Sequence, residues 1–191
     1  MVEIFNITGN MDFPDMLPRM IQELPEWRRQ KALSYRFDID RFQCAKSFLI
    51  LEELLKKEYG IIRCPEFSYG PFGKPYFAEY PDIHFSISHC HKGIACAVSG
   101  RPVGIDIEEI QYDEFVAQRV LNTDEYAEVK ASSNPAGVFT ELWTKKESYL
   151  KLTGQGLIEN MKGLLNESDG IHFKSVINSE TGYVCSIAYR P

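Results

Sequence analysis

Two short stretches hold the residues best suited to chemistry. VGIDIEEI, Val103 to Ile110, sets Asp106 and Glu108 into an apolar run where a strand favours Val or Thr. Side chains alternate along a strand, so the two carboxylates share one face while Ile105 and Ile107 share the other. One buried carboxylate needs a partner, and two side by side repel unless a cation lies between them. In FTELWTKKESYLKLTGQGL, Phe139 to Leu157, helical spacing sets Trp143, Glu147 and Lys151 in file on one stripe. Each stretch also has a plainer reading. Glu147 and Lys151 make an ordinary i,i+4 pair worth roughly a few tenths of a kcal/mol, and Asp106 and Glu108 fit an exposed strand end. Together, however, two strand carboxylates and one helix carboxylate suit a hard cation, Mg²⁺ before Ca²⁺. Mg²⁺ keeps waters and completes its shell with substrate phosphates, so three acids suffice.

Candidate anion-binding groups lie upstream. Lys74, in GKPYF, sits on a backbone restricted by Gly and Pro, which reduces the entropy lost in fixing its ammonium on a phosphate. Ser88 and His89 close the strand in FSISHCHKG, where a hydroxyl and an imidazole could both donate, although a turn His is more often a surface or satisfied residue than a ligand. Lys92 reads as a solvated turn residue. Arg28 and Lys31, in PEWRRQKAL, stand one helical turn apart and could clamp an anion or simply form a solvated face.

These residues need elements to position them. Met1 to Thr8 reads as an opening strand, and Leu24 to Tyr59 as mainly helical with a break near Phe37–Asp38. SYGPFGKPYF is a turn-rich loop; HFSIS and IACAVS flank a polar turn as a hairpin. VGIDIE follows as a strand, Thr123 to Val129 and Gly137 to Leu152 as helices, and IHFKSVI and YVCSIAY as a last hairpin around NSETG. The expected fold is α+β, two similar packed halves, 1–100 and 101–191, joined without a linker. EFVAQRV reads either as a helix packed on the core or as a partner-docking segment through Phe115, Val116 and Arg119.

Composition bounds the partners. The chain has 191 residues, 44% hydrophobic and 13% aromatic, enough for a sizeable core. A net charge of -6 gives no general reason to expect nucleic acid or an anionic membrane. The five cysteines lack any C-x-x-C pair, which argues against a disulfide framework or a zinc site. No signal peptide or bilayer-length apolar run is visible, so the expected setting is the cytoplasm.

In order along the chain, GKPYF, FSISH, VGIDIE and WTKKESYLK resemble motifs of the 4′-phosphopantetheinyl transferases of the larger, surfactin-synthetase-activating type. These motifs cover residues from about 70 to 155. The resemblance implies a monomer with an active site in the cleft between its halves. It implies transfer of the phosphopantetheine arm of coenzyme A to a serine of an apo acyl or peptidyl carrier protein, with release of 3′,5′-ADP. By position, it assigns Asp106, Glu108 and Glu147 to Mg²⁺ and Lys151 to the diphosphate. It assigns Lys74, Pro75, Ser88 and His89 to the nucleotide end, joined by Arg28 and Lys31. One departure stands out: Gln43 follows Asp40 where relatives often carry Arg, and Arg41 is its candidate substitute. The carrier serine would attack the pantetheine-side phosphorus as charge grows on the departing ADP. Glu147 is then the candidate base, directly or through a water, with Glu108 its competitor. Two other readings compete: a non-catalytic module that binds coenzyme A or a carrier protein, and a Mg²⁺-dependent phosphohydrolase of nucleotide diphosphates.

Overall fold

In a computed structural model that describes residues 1–7, 13–156, 158, 160–166 and 168–191, α-helices and antiparallel strands mix as expected for an α+β chain. The elements are β1 (Val2–Asn6), α1 (Phe13–Glu23), α2 (Glu26–Leu33), α3 (Asp38–Tyr59), β2 (Ser68–Tyr69), β3 (Pro75–Tyr76), β4 (His84–Cys90), β5 (Gly93–Ser99), β6 (Val103–Glu109), α4 (Glu114–Val120), α5 (Thr123–Ala131), α6 (Pro135–Thr153), β7 (His172–Asn178) and β8 (Tyr183–Tyr189). One three-stranded sheet runs β1-β5-β4, another runs β6-β8-β7, and β2 with β3 forms a short ladder.

The long apolar helix α3 buries Phe42, Phe48, Leu51 and Leu55 completely, in one cluster with Phe77, Phe85 and Ile94. It stops at Gly60, whose φ of 69° is the left-handed C-cap that glycine adopts without a Cβ penalty. Phe37 caps its start, and the expected break between two helices falls there. α1 was not expected, because Pro18 lies inside it and removes a ladder donor. Buried Leu17 and Met20 hold it in the α3 cluster, so tertiary packing overrides local propensity. The opening strand ends at Asn6; Thr8, expected in it, lies outside the described residues, as does Leu157.

The two larger sheets meet along β4 and β6, where the Ile105 amide donates to Ser86 Oγ at 3.0 Å. Ile105 and Ile107 are fully buried among Ala95, Ala97, Tyr183 and Cys185. α6 opens with Pro135 at its first position and Asn134 accepting from the Gly137 amide. Lys146, fully buried in its middle, donates to the Met161 carbonyl at 2.8 Å and pairs with Glu125 of α5 at 2.9 Å. EFVAQRV is helix α4: it buries Ala117 and Val120 while Phe115 is 74% exposed. Among the described residues no helix is long and apolar enough to cross a membrane. All five cysteines are buried and unpaired.

Candidate functional site

The site is assembled where α6 lies on β6. Gly104 makes that approach possible: a Cβ there would stand 2.0 Å from the Ser148 carbonyl oxygen and 2.4 Å from the Leu152 nitrogen. Gly104, Asp106 and Glu108 share one strand face, so the absent side chain at the first lets the helix cover the other two. The isoleucines take the opposite face, as the alternation requires.

Asp106 is 2% exposed, and its Oδ1 accepts from Ser88 Oγ at 2.9 Å and from Lys151 Nζ at 2.6 Å. Lys151 also donates to Ser88 Oγ at 2.8 Å, closing a three-membered cluster from β4, β6 and α6. Lys151 therefore reaches across to the strand instead of making the i,i+4 pair with Glu147. The i,i+4 ion pair formed on this helix is Glu141–Lys145, at 2.7 Å. Two carboxylate oxygens, Asp106 Oδ2 and Glu147 Oε1, are buried without a hydrogen-bond partner. Leaving such atoms unpaired costs about 1–3 kcal/mol each or more, which makes them candidate contacts for a ligand.

Charge crowding shows in the acids. Burial pushes Glu108 up to about 7; the Asp106 and Glu147 charges add to the rise, while Lys151 and the Trp143 indole oppose it. Burial, then Asp106, also raise Glu147 above the ordinary carboxylate range, again against Lys151. Burial and then the Lys151 charge hold His89 below its usual value, disfavouring the charged imidazole.

A pocket of about 430 Å³ opens over this cluster. It brings together Arg28, Ser88, His89, Asp106, Glu108, Glu147 and Lys151, all expected site residues, with Pro75. It also adds residues the sequence reading had not assigned to a site: Asp40, Cys44, Ser47, Phe67 and Ile87. Only Asp40 carried a signal, through its place before the Gln43 departure. Arg28 lies over the Phe48 and Phe67 rings at 5.6 and 5.5 Å, and donates to the Cys44 carbonyl at 2.9 Å. Its Nε is buried without a partner, in a residue that lines the pocket.

A second pocket, about 300 Å³, shares Pro75, Ile87, Glu147 and Lys151 with the first and continues between Phe72, Phe85 and Leu150. Lys74 lines this one and not the larger. Its ammonium donates to the carbonyls of Leu152, at 2.8 Å, and Val103, at 3.4 Å, and burial lowers it to about 8. Lys31 lines neither pocket and sits 5.3 Å from the Tyr35 ring centre. Gln43 is buried and donates to the Cys90 carbonyl at 2.8 Å, while Arg41 pairs with Asp38 at 2.8 Å and lines neither pocket.

Among the described residues no three His, Cys, Asp or Glu side chains gather closely enough to hold an ion by themselves. The donor chemistry nevertheless fits a hard cation. Two orphaned carboxylate oxygens and Glu108 line one pocket, and waters and ligand phosphates can complete an oxygen shell. As folded, the arrangement offers an anion Lys151, Arg28 and Ser88, and offers a hydroxyl proton two carboxylates whose affinity for it is raised by burial.

Residues 102–188 match the 4′-phosphopantetheinyl transferase superfamily. A 4′-phosphopantetheinyl transferase of Bacillus subtilis is 32% identical over 143 residues, covering 73% of this chain and 64% of that protein. The 4′-phosphopantetheinyl transferase gsp of Aneurinibacillus migulanus is 40% identical over 117 residues, 56% of this chain and 48% of its own length. Psf-1 of Bacillus pumilus, of the same name, is 32% identical over 134 residues, 68% and 58% of the two chains. The chain thus spans between about half and two thirds of the length of these relatives.

Proposed function

Because residues 102–188 of this chain match the 4′-phosphopantetheinyl transferase superfamily, we propose that it moves the 4′-phosphopantetheine arm of coenzyme A onto a serine of an apo carrier protein and releases 3′,5′-ADP. The observation that carries the proposal is the Ser88–Asp106–Lys151 cluster, with Glu147 beside it, at the junction of two pockets. A long substrate with a diphosphate in its middle needs such a junction: polar charge at the centre and room on either side.

Arg28, Ser88 and His89 bind phosphates in the larger pocket, and Lys151 faces the diphosphate. Pro75 borders both pockets, and the smaller, largely apolar one takes a flexible part of the substrate. Lys31, which lines neither pocket, is the remaining candidate contact for the nucleotide end. The sheets β1-β5-β4 and β6-β8-β7 are read as the cores of two similar halves, about 1–100 and 101–191, with the site in the cleft between them.

Asp106, Glu108 and Glu147 would hold Mg²⁺, which when bound neutralises charge on the diphosphate oxygens. The chain's own residues do the rest. Lys151 holds a positive charge beside the diphosphate bridge, where charge grows on the oxygen that departs with 3′,5′-ADP, and preorganised charge of this kind dominates phosphoryl transfer. Glu147 lines both pockets and takes the proton from the carrier serine, directly or through a water, with Glu108 as the competing base. Oxygen–phosphorus bond formation at the pantetheine side accompanies loss of 3′,5′-ADP. α4 lies beside this point: Val116 lines a further pocket of about 370 Å³ with Glu108 and Trp143. Exposed Phe115, with Arg119, is the proposed contact for the carrier. The reduced thiols suit the cytoplasm, and a monomer suffices for the site as described.

The test is intact mass of an apo acyl carrier protein after incubation with the protein, coenzyme A and Mg²⁺, with an EDTA control. Metal-dependent gain of one phosphopantetheine arm supports the reading. No gain with several carriers overturns it; accompanying release of 3′,5′-ADP would indicate hydrolysis instead. Glu147→Gln is expected to keep the fold and lose transfer by at least about a hundredfold.

A further inference from the structure

We propose that Lys151 is the resident cation of the acidic cluster and that it sets the order in which the site is assembled: the metal ion enters only after a substrate phosphate draws the Lys151 ammonium off Asp106. The inference rests on the metal reading of Asp106, Glu108 and Glu147, and goes beyond it by assigning Lys151 a second, competing role.

The geometry carries it. Lys151 Nζ lies 2.6 Å from Asp106 Oδ1, which also accepts from Ser88 Oγ, so both lone pairs of that oxygen are engaged and a cation there must displace one donor. The same ammonium holds Ser88 Oγ at 2.8 Å, and Ser88 holds Asp106 at 2.9 Å, so three groups fix it in place. Asp106 is 97% buried at its side chain while Lys151 is 31% exposed, so the lysine can leave towards solvent and the aspartate cannot. Asp106 Oδ2 and Glu147 Oε1 are both buried and without partners, and so are available for a second cation, while Oδ1 of the same aspartate already holds the ammonium. A divalent ion on Asp106 Oδ2 would share its carboxylate with the ammonium, and the two like charges repel. A phosphate in the pocket removes that repulsion by giving Lys151 another partner. Metal and phosphate then raise each other's affinity, as linkage demands.

The experiment is titration calorimetry of the whole protein with Mn²⁺ as the probe, without coenzyme A. The wild type is expected to bind weakly. Lys151→Met is expected to bind at least about tenfold more tightly, because the competing charge is gone and the stem is kept. Lys151→Arg, which keeps the charge, is expected to remain weak. Equal affinity in wild type and Lys151→Met, with both tight, overturns the ordering role while leaving the metal reading standing. Absence of Mn²⁺ binding in every form, with or without coenzyme A, overturns both. A readout that needs no variant is the ¹³Cε signal of Lys151 in the wild type. Coenzyme A alone is expected to shift it, and Mn²⁺-free Mg²⁺ at concentrations that saturate the coenzyme A complex is expected to leave it in place. A signal unmoved by coenzyme A overturns the proposal even if Lys151→Met fails to fold.

Discussion

The Lys74 ammonium donates to the Leu152 carbonyl oxygen at 2.8 Å, tying the loop before β3 to the last turn of α6. The last carbonyls of a helix lack intrahelical donors and carry partial negative charge, so a lysine there is a cap. Since it also reaches Val103 at the start of β6, one side chain holds the helix that bears Glu147 and Lys151 to the strand that bears Asp106 and Glu108. Burial lowers Lys74 from 10.5 to about 8, so the folded state disfavours its charged form. Between these values the unfolded chain binds more protons, and stability contributed by this group rises with pH across that window. Chemical denaturation of wild type and Lys74→Met at pH 7.5 and 10 is expected to show the wild type gaining relative to the variant at the higher pH. A gap that is unchanged or narrows would refute the role assigned to burial.

Gly104 offers a sharper steric test. A Cβ at 2.0 Å from the Ser148 carbonyl meets backbone, which cannot turn aside as a long side chain can. Gly104→Ala must therefore push α6 off β6, with overpacking costs of about 3 kcal/mol. Because Asp106 lies two residues on along the same face, the displacement also parts it from Lys151. Thermal melts are expected to show the loss of stability, and coenzyme A binding is expected to weaken with it. A variant of wild-type stability would mean that the helix and strand are free to separate without cost.

Much of this site was legible because strand alternation is a local rule. VGIDIE alone told which faces Asp106 and Ile105 take, and WTKKESYLK alone put Glu147 and Lys151 on one helical stripe. The choice of Lys151's partner was not legible. Glu147 at i,i−4 and Asp106 on another element are both within reach of a lysine, and only the closeness of α6 to β6 decides between them. That closeness depends on Gly104, which in sequence is one small residue in an apolar run. The reach of Lys74 to Leu152 is hidden for the same reason, since the end of a helix becomes a ligand only once another segment is packed against it. α1 was hidden differently: Pro18 weakens the helical signal, and buried Leu17 and Met20 reveal their partners only in the fold.

Glu108 brings the tension between stability and chemistry into one residue. Burial, with the charges of Asp106 and Glu147, raises it from 4.5 to about 7. In that window the folded protein binds more protons than the unfolded chain, so the stability this group contributes falls as pH rises from about 4.5 to about 7. Above that range the ionised carboxylate is a standing cost of the fold, of the kind functional sites retain. Glu108→Gln keeps the shape and removes the charge. It is expected to be more stable than wild type at pH 8, with the advantage shrinking towards pH 5, in denaturant titrations at the two values. Mg²⁺ added with coenzyme A is expected to stabilise the wild type more than the variant, because only the carboxylate offers the ion a charged ligand. A variant less stable than wild type at pH 8 would show that Glu108 is held by partners strong enough to outweigh its burial, and would remove the basis for counting it among strained site residues.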